Sequence, residues 1–392
     1  MSARKTRSTS RGAQQSSNAI DTGSTRPIGL GIVGCGNVMD GAYMPAIQRL
    51  QSKGWVQVVG ASHTSRERCQ PVLDKWAIPN YFETYQQLCD TPEIDVVVVL
   101  TSMKEHGAIA RAALRAGKHV LVEKPMAVSL HEAKKMVDLA RTSNCFLVSA
   151  PFVTLSPTFE IIRDRVDAGD LGKVCLVRAR YGWSGPDWSE WFYQPGSGPI
   201  FDLAVYSLTT ITGILGPAKK VTAMTGTAQP SRIVNGRRVK VKVEDNAQIL
   251  LDFGSATFAV VTSGFTMQKY RSPALELYGT EGTIQMMGDD WAPEGYELWQ
   301  NKVGAWQVFS ETDPHWQWTA GLQHLIECIR NGKRPTVTPE HAYHVLEIML
   351  AAQTAGKTGR AQALKSTFKK RTGSKKYVEG EAAHRVHDRR LK

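Results

Sequence analysis

The sequence predicts an α/β domain built on a doubly wound parallel sheet, followed by an α+β domain with a large, mainly antiparallel open sheet. Three observations carry this. Between Ile28 and Ala150 short apolar runs alternate with helical stretches. The first run leads directly into a Gly34-Cys35-Gly36 turn. After Ala150 the rhythm changes to closely spaced strand patterns separated by turns. Strand–helix alternation marks a parallel sheet, whereas consecutive strands with helices set apart mark α+β.

In the first part the apolar runs are Ile28–Val33, 56–61, 96–100, His119–Val122 and 146–150. IGLGIV, VVVVL and HVLV are nearly continuous, as expected of strands buried on both faces. Between them lie helical patterns at 105–116, closed by Gly117, and at 129–141, opened by Ser129 as cap with Glu132 three residues on. In the second part a helix is expected at 156–168, then strands at 174–181, 221–226, 239–253, 256–264, 274–278 and 283–287. Asp252-Phe253-Gly254-Ser255 reads as a hairpin turn, and two late helices fall at 316–330 and 339–355. The expected division is a basic tail over 1–26, a dinucleotide-binding domain over 27–150, a substrate-binding and oligomerisation domain over 151–364 and a basic tail over 365–392.

The 392 residues are 42% hydrophobic and 21% charged, a globular composition with room for two domains. No apolar run approaches the roughly 20 residues of a membrane span, so no membrane partner is expected. Of the net charge of +12, residues 1–26 hold +4 and residues 365–392 hold +7, which leaves +1 for the body. A nucleic-acid enzyme would carry its basic stripe on the folded domain, so the charge reads as solubilising tails with no specific nucleic-acid partner. The first tail has the basic start of an export signal without its apolar stretch. Cys35, Cys69, Cys89, Cys145, Cys175 and Cys328 show no C-x-x-C pair and no metal-ligand spacing. They read as free thiols of a cytoplasmic protein, with no metal.

The glycine turn points to a dinucleotide. Gly34 permits the tight strand-to-helix turn, and Gly36 lets backbone approach a pyrophosphate at the helix N-terminus, with Asn37 and Val38 beside it. The third glycine of the usual Rossmann fingerprint is missing, because Met39 stands in its place. Cofactor choice is written after the second strand, in Ser62-His63-Thr64-Ser65-Arg66. An acid there would hold the ribose 2′-hydroxyl, but none occurs before Glu67. Hydroxyls together with the Arg66 guanidinium suit a 2′-phosphate, so NADP is preferred and NAD is the alternative.

The stretch 117–125, GKHVLVEKP, ends a strand at the sheet edge where ligands of such folds bind. With the opening glycines, His106, Glu123-Lys124-Pro125, 198–206 (GPIFDLAVY), 278–283 (YGTEGT) and 332–335 (GKRP), the chain resembles the Gfo/Idh/MocA oxidoreductases over about residues 28–360. The resemblance implies a Lys124 beside the nicotinamide and the reacting carbinol. A cation there stabilises the alkoxide that hydride loss develops, and with a lowered pKa it could exchange the proton. It also places His106 near the nicotinamide. Thr101 and Ser102 follow the fourth strand and could line the dinucleotide. Pro125 fixes the turn that carries Lys124, with a cis bond as one way of doing so. Asp202 and Tyr206, four residues apart, are expected on one helix face. Asp202 is assigned to orienting substrate hydroxyls and Lys124, and Tyr206 to proton transfer with Lys124. Many members of the family have His where Tyr206 stands, which leaves the proton shuttle open between the two chemistries.

Trp183, Trp188, Trp191 and Tyr193 precede Asp202 in a Gly- and Pro-containing stretch. Aromatic faces suit the C–H face of a sugar, and equally a buried core or subunit interface. The expected function is NAD(P)-dependent hydride transfer at a carbinol or carbonyl of a sugar, cyclic polyol or related molecule, in a homo-oligomer as the resemblance implies. The alternatives are NAD-dependent glycoside hydrolysis, which returns the cofactor unchanged, and a non-catalytic cofactor-sensing protein.

Overall fold

Unbroken apolar runs dictate the first sheet. The structure, a computed structural model, describes residues 26–289, 291–310 and 316–373; the two tails of the sequence division lie otherwise outside the described residues. The chain runs β1 (Ile28–Val33), a π-helical turn (Met39–Tyr43), α1 (Met44–Ser52), β2 (Val56–Ser62), α2 (Arg66–Lys75), β3 (Tyr81–Phe82), α3 (Tyr85–Asp90), β4 (Val96–Val99), α4 (Met103–Arg115), β5 (His119–Val122), α5 (Leu130–Thr142) and β6 (Leu147–Ser149). The six strands pair in parallel in the order β3-β2-β1-β4-β5-β6. The order reverses between β1 and β4, which opens a crevice at their C-terminal ends. All four residues of β4 are fully buried. Each valine then contributes about 1.5–3 kcal/mol of apolar burial.

Caps and breakers act where the sequence places them, with one difference. Ser129 caps α5 by accepting from the Glu132 backbone N at 3.3 Å. The Glu132 side chain does not complete the box; it pairs instead with Arg111 at 3.3 Å.

The second part contains α6 (Pro157–Ala168), β7 (Val174–Gly182), a π-helical turn (Ile200–Ala204), α7 (Val205–Leu215), β8 (Lys220–Gly226), β9 (Ser231–Val234), β10 (Arg237–Lys240), β11 (Asn246–Gly254), β12 (Thr257–Gly264), β13 (Leu275–Gly279), β14 (Gly282–Asp289), β15 (Ala292–Gln300), β16 (Trp306–Ser310), α8 (Ala320–Arg330), α9 (Pro339–Thr358) and β17 (Gln362–Ala363). Its main sheet has the order β16-β15-β14-β13-β7-β12-β11-β8-β17, antiparallel except for the β7–β12 pair. The strand expected over 239–253 is two strands. Between them the fully buried Asp245 accepts from the backbone N of Ala228 (2.7 Å) and Gln229 (2.9 Å), which draws the chain out of the ladder.

Helices α6, α7 and α9 cover one face of this sheet, and its core is continuous with that under α4 and α5. Helix α8 returns to the first sheet and joins the core beneath α1 and α2. The two parts are therefore closely packed at the crevice. Residues 365–373 lie along the second part, with Ser366 on Glu347 and Lys370 on Asp167. Among the described residues no helix is long and apolar enough to cross a membrane.

Candidate active site

The dinucleotide turn sits at the β1/β4 switch point. Gly34 has φ +104°, and its N donates to the Ser62 carbonyl at 2.9 Å. A Cβ there would come within 2.6 Å of the Leu100 carbonyl, so both the φ and the space require glycine. A Cβ on Gly36 would meet nothing within 4 Å, which leaves the approach above the turn open. Asn37 and Val38 are exposed at its mouth. Met39, in the place of the third glycine, is fully buried in the core. Open backbone at the start of a helix, beside the exposed Asn37, fits a pyrophosphate.

The ribose loop is more structural than its composition suggests. Ser62 is buried. Ser65 caps α2 by accepting from the Arg68 N at 3.3 Å, and the half-buried His63 accepts from the Ser65 N through Nδ1 at 3.0 Å. Thr64 and Arg66 remain exposed, and the Arg66 guanidinium stands 5.5 Å from the Tyr81 ring.

Two loops frame the far end of the crevice. Ser102 heads α4 without using its hydroxyl as a cap, and Thr101 is half-buried before it. The buried His106 faces the Pro125 carbonyl through Nδ1 (2.7 Å) and the Thr101 carbonyl through Nε2 (3.0 Å). Burial pushes its pKa down. A neutral ring has one N–H, so it donates to one of these carbonyls only. Glu123 is buried: Oε1 accepts from the Tyr43 hydroxyl at 2.8 Å and Oε2 from the Lys124 backbone N at 3.1 Å. Burial and the Glu123 charge hold Tyr43 well above the ordinary phenol pKa, so it remains a donor. The Lys124-Pro125 bond is cis.

The two parts of the chain meet at Lys124. Its Nζ donates to Asp202 Oδ1 at 2.6 Å and to the Asp202 carbonyl at 3.0 Å, with side chains only 16% and 11% exposed. It also stands 5.4 Å from the Tyr206 ring centroid. Asp202 and Tyr206 do not share one regular α-helical turn: Asp202 lies in the π-helical turn and Tyr206 in the first turn of α7. Tyr206 meets Tyr181 edge to face at 5.4 Å. Two π-helical turns thus supply Tyr43 and Asp202, in keeping with the frequent use of this geometry at functional sites.

The aromatic stretch begins two residues beyond Tyr181. Trp183 stacks on the exposed Trp188 at 5.4 Å, and the exposed Trp191 stacks on Phe192. Tyr193 is buried, and its hydroxyl donates to the Pro186 carbonyl at 2.6 Å. It therefore packs within its own loop.

Sequence reasoning missed Tyr43 and Tyr181, which no local motif marks. It also took all the cysteines as free thiols. Cys35 and Cys69 are instead joined in a disulfide, because the β1 turn and α2 are neighbours across the β1–β2 pair.

An NAD-binding Rossmann model of the Gfo/Idh/MocA oxidoreductases matches residues 28–150, and the family's C-terminal domain model matches residues 159–285. The chain belongs to the Gfo/Idh/MocA oxidoreductase family, and it is an enzyme of the dehydrogenase kind. It is 26% identical over 324 residues to trans-1,2-dihydrobenzene-1,2-diol dehydrogenase of Sus scrofa, covering 79% of this chain and 90% of that one. It is 24% identical to scyllo-inositol 2-dehydrogenase (NAD(+)) of Bacillus subtilis, covering 81% and 91%. The fold is similar to that of levoglucosan dehydrogenase in complex with NADH and L-sorbose, with TM-score 0.78, 19% identity, and 87% and 100% of the two chains covered.

Proposed function

We propose that the protein moves hydride between NADP(H) and a ring carbinol of a sugar or cyclic polyol that bears a second hydroxyl on the neighbouring carbon. The observation that carries this reading is the Lys124–Asp202 pair, 2.6 Å apart at the cofactor edge of the first sheet. The nicotinamide supplies the hydride acceptor or donor. Lys124 donates to the carbinol oxygen and stabilises the charge that grows there as the C–H bond breaks. The hydroxyl proton passes to the Tyr206 oxygen, and that phenol's own proton passes on to solvent. Asp202 holds Lys124 through Oδ1 and accepts from the neighbouring hydroxyl. The relatives named for a dihydrodiol, an inositol and levoglucosan support the choice, since these molecules carry adjacent ring hydroxyls.

NADP(H) is preferred because Thr64 and Arg66 stand exposed and no acid lies within residues 62–66. Trp183 and Trp191 are assigned to the apolar face of the ring. A panel of cyclic diols, inositols and pyranoses, assayed with NADP+ and NAD+ by nicotinamide absorbance, tests the reading. Turnover with net reduction of cofactor is expected. Substrate cleavage without net cofactor change would replace it with glycoside hydrolysis.

We also propose a homo-oligomer formed through the uncovered face of the second sheet. Exposed Leu176 and Phe258 stand opposite each other on β7 and β12, and Leu250 and Met224 continue the stripe on β11 and β8. Light scattering tests it, with Phe258→Asp expected to yield monomer. The proposed location is the cytoplasm, where unpaired Cys89, Cys145, Cys175 and Cys328 stay reduced; fractionation tests this.

A further inference from the structure

We propose that Cys35 and Cys69 are a redox-modification site, a reversible disulfide that sets how tightly the dinucleotide turn holds its cofactor. This rests on the reading that residues 34–38 bind a dinucleotide. Cys35 stands between Gly34 and Gly36, in the backbone that would face the pyrophosphate. Cys69 is fully buried on α2, four residues after the Ser65 cap that ends the ribose loop. Their sulfurs are bonded, with the Cα atoms 5.5 Å apart. The bond therefore joins the two segments that would hold the two ends of the adenosine diphosphate moiety.

Geometry singles out this pair among the cysteines, since theirs are the two sulfurs that the structure joins. Cys89, Cys145, Cys175 and Cys328 are free, and burial pushes the Cys89 thiol up to about 11 and raises those of Cys145 and Cys328. Cys35 lies two residues ahead of the helical run that begins at Asn37, next to the open space above Gly36. Oxidised glutathione, a small disulfide, is a sufficient oxidant. The Cys35 thiolate attacks one of its sulfurs, forms a mixed disulfide and expels one glutathione. The Cys69 thiolate then attacks the Cys35 sulfur and expels the second. Two protein thiols lose two electrons, one glutathione disulfide gains them, and the two thiol protons end on the released glutathiones.

The effect on binding follows from the flanking glycines. Gly34 and Gly36 give the turn more backbone freedom than any other residue type would. The Gly34 N bond to the Ser62 carbonyl holds one end of it, and the disulfide holds its middle against α2. In the bridged protein the turn is pre-ordered around the open space above Gly36. Once reduced it samples other conformations, and the cofactor must order it on binding, which weakens the apparent affinity by the fraction of time the turn is competent.

The test uses the full chain equilibrated across glutathione buffers of graded reduced-to-oxidised ratio. Each sample is divided, one part alkylated and read by peptide mass for the Cys35–Cys69 bridge, the other titrated with NADPH and with NADH. The bridged fraction is expected to follow the buffer reversibly, with cofactor affinity about 3–10-fold tighter in the bridged form. Cys69→Ser, with unchanged circular dichroism, is expected to match reduced wild type in every buffer; if it fails to fold, reduced wild type alone supplies the comparison. Three results overturn the proposal: no bridge in any buffer, a bridge that persists at the reducing end, or equal affinities in the two states. If the bridge titrates but neither cofactor binds either state, the dinucleotide reading fails and the proposal with it.

Discussion

Lys124→Met separates the catalytic role of Lys124 from its structural one. The substitution keeps much of the side-chain volume and removes the cation. It leaves the Asp202 carboxylate, now 11% exposed beside an ammonium at 2.6 Å, without that partner. Removing one member of such a sheltered pair costs on the order of 3 kcal/mol of stability. If the cation stabilises the developing alkoxide, kcat falls by about 10³-fold, or about 4 kcal/mol of barrier. Cofactor affinity changes by less than about threefold, since the pyrophosphate and ribose contacts lie elsewhere. The double variant Lys124→Met/Asp202→Asn removes the orphaned charge, so it regains much of the stability while activity stays low. The assays are urea unfolding for stability and single-turnover hydride transfer for rate. A single variant within about fivefold of wild-type rate would refute the reasoning. A double variant that regains activity along with stability would show that Lys124 acts only by holding the fold.

Tyr43→Phe removes the hydroxyl that donates to Glu123 Oε1, which is expected to cost about 1.5–3 kcal/mol in urea unfolding. It should also lower kcat about tenfold with little change in KM, because the turn carrying Lys124 shifts; an unchanged kcat would reduce the pair to a core contact. Arg66→Ala is expected to weaken NADPH about tenfold and leave NADH nearly unchanged, read by calorimetric titration; equal losses would remove the 2′-phosphate role. Stability should fall with acid through the His341–His344 region, where burial pushes the two pKa values down to about 3 and about 4. His344 Nε2 accepts from the Ala218 N at 3.0 Å, so protonation sets two donors against each other. The unfolded chain binds the proton near pH 6.5, so the contribution is complete above that pH and is lost as pH falls towards 4, at most about 3 kcal/mol for His344. Urea midpoints measured across that range check it, and a flat profile would contradict it.

The first sheet was legible because strands buried on both faces must be apolar throughout, and Gly34 was legible because no other residue fits its φ and its contact with Leu100. Ser129 and Gly117 marked helix ends through local hydrogen bonds and a left-handed φ, which are properties of a few adjacent residues. Legibility ended where partners are distant in sequence. The run through Val239, Val241 and Val243 reads as one strand until the Asp245 carboxylate is seen to bind Ala228 and Gln229. The four-residue spacing of Asp202 and Tyr206 gives no sign of the π-helical turn between them. Ser62 looked like a cofactor hydroxyl, yet the turn of β2 buries it. Tyr43 reaches Glu123 across 80 residues, and Cys35 reaches Cys69 across 34, separations that carry no local pattern.

The most direct test of the account is calorimetric titration of NADPH and of NADH into the purified full-length protein. One site per chain is predicted, with NADPH bound at least about tenfold more tightly, a difference of about 1.4 kcal/mol. Tighter NADH would overturn the assignment of Thr64 and Arg66 and leave the oxidoreductase reading in place. Binding of neither would contradict the central claim that the crevice at Gly34 and Lys124 is a nicotinamide site.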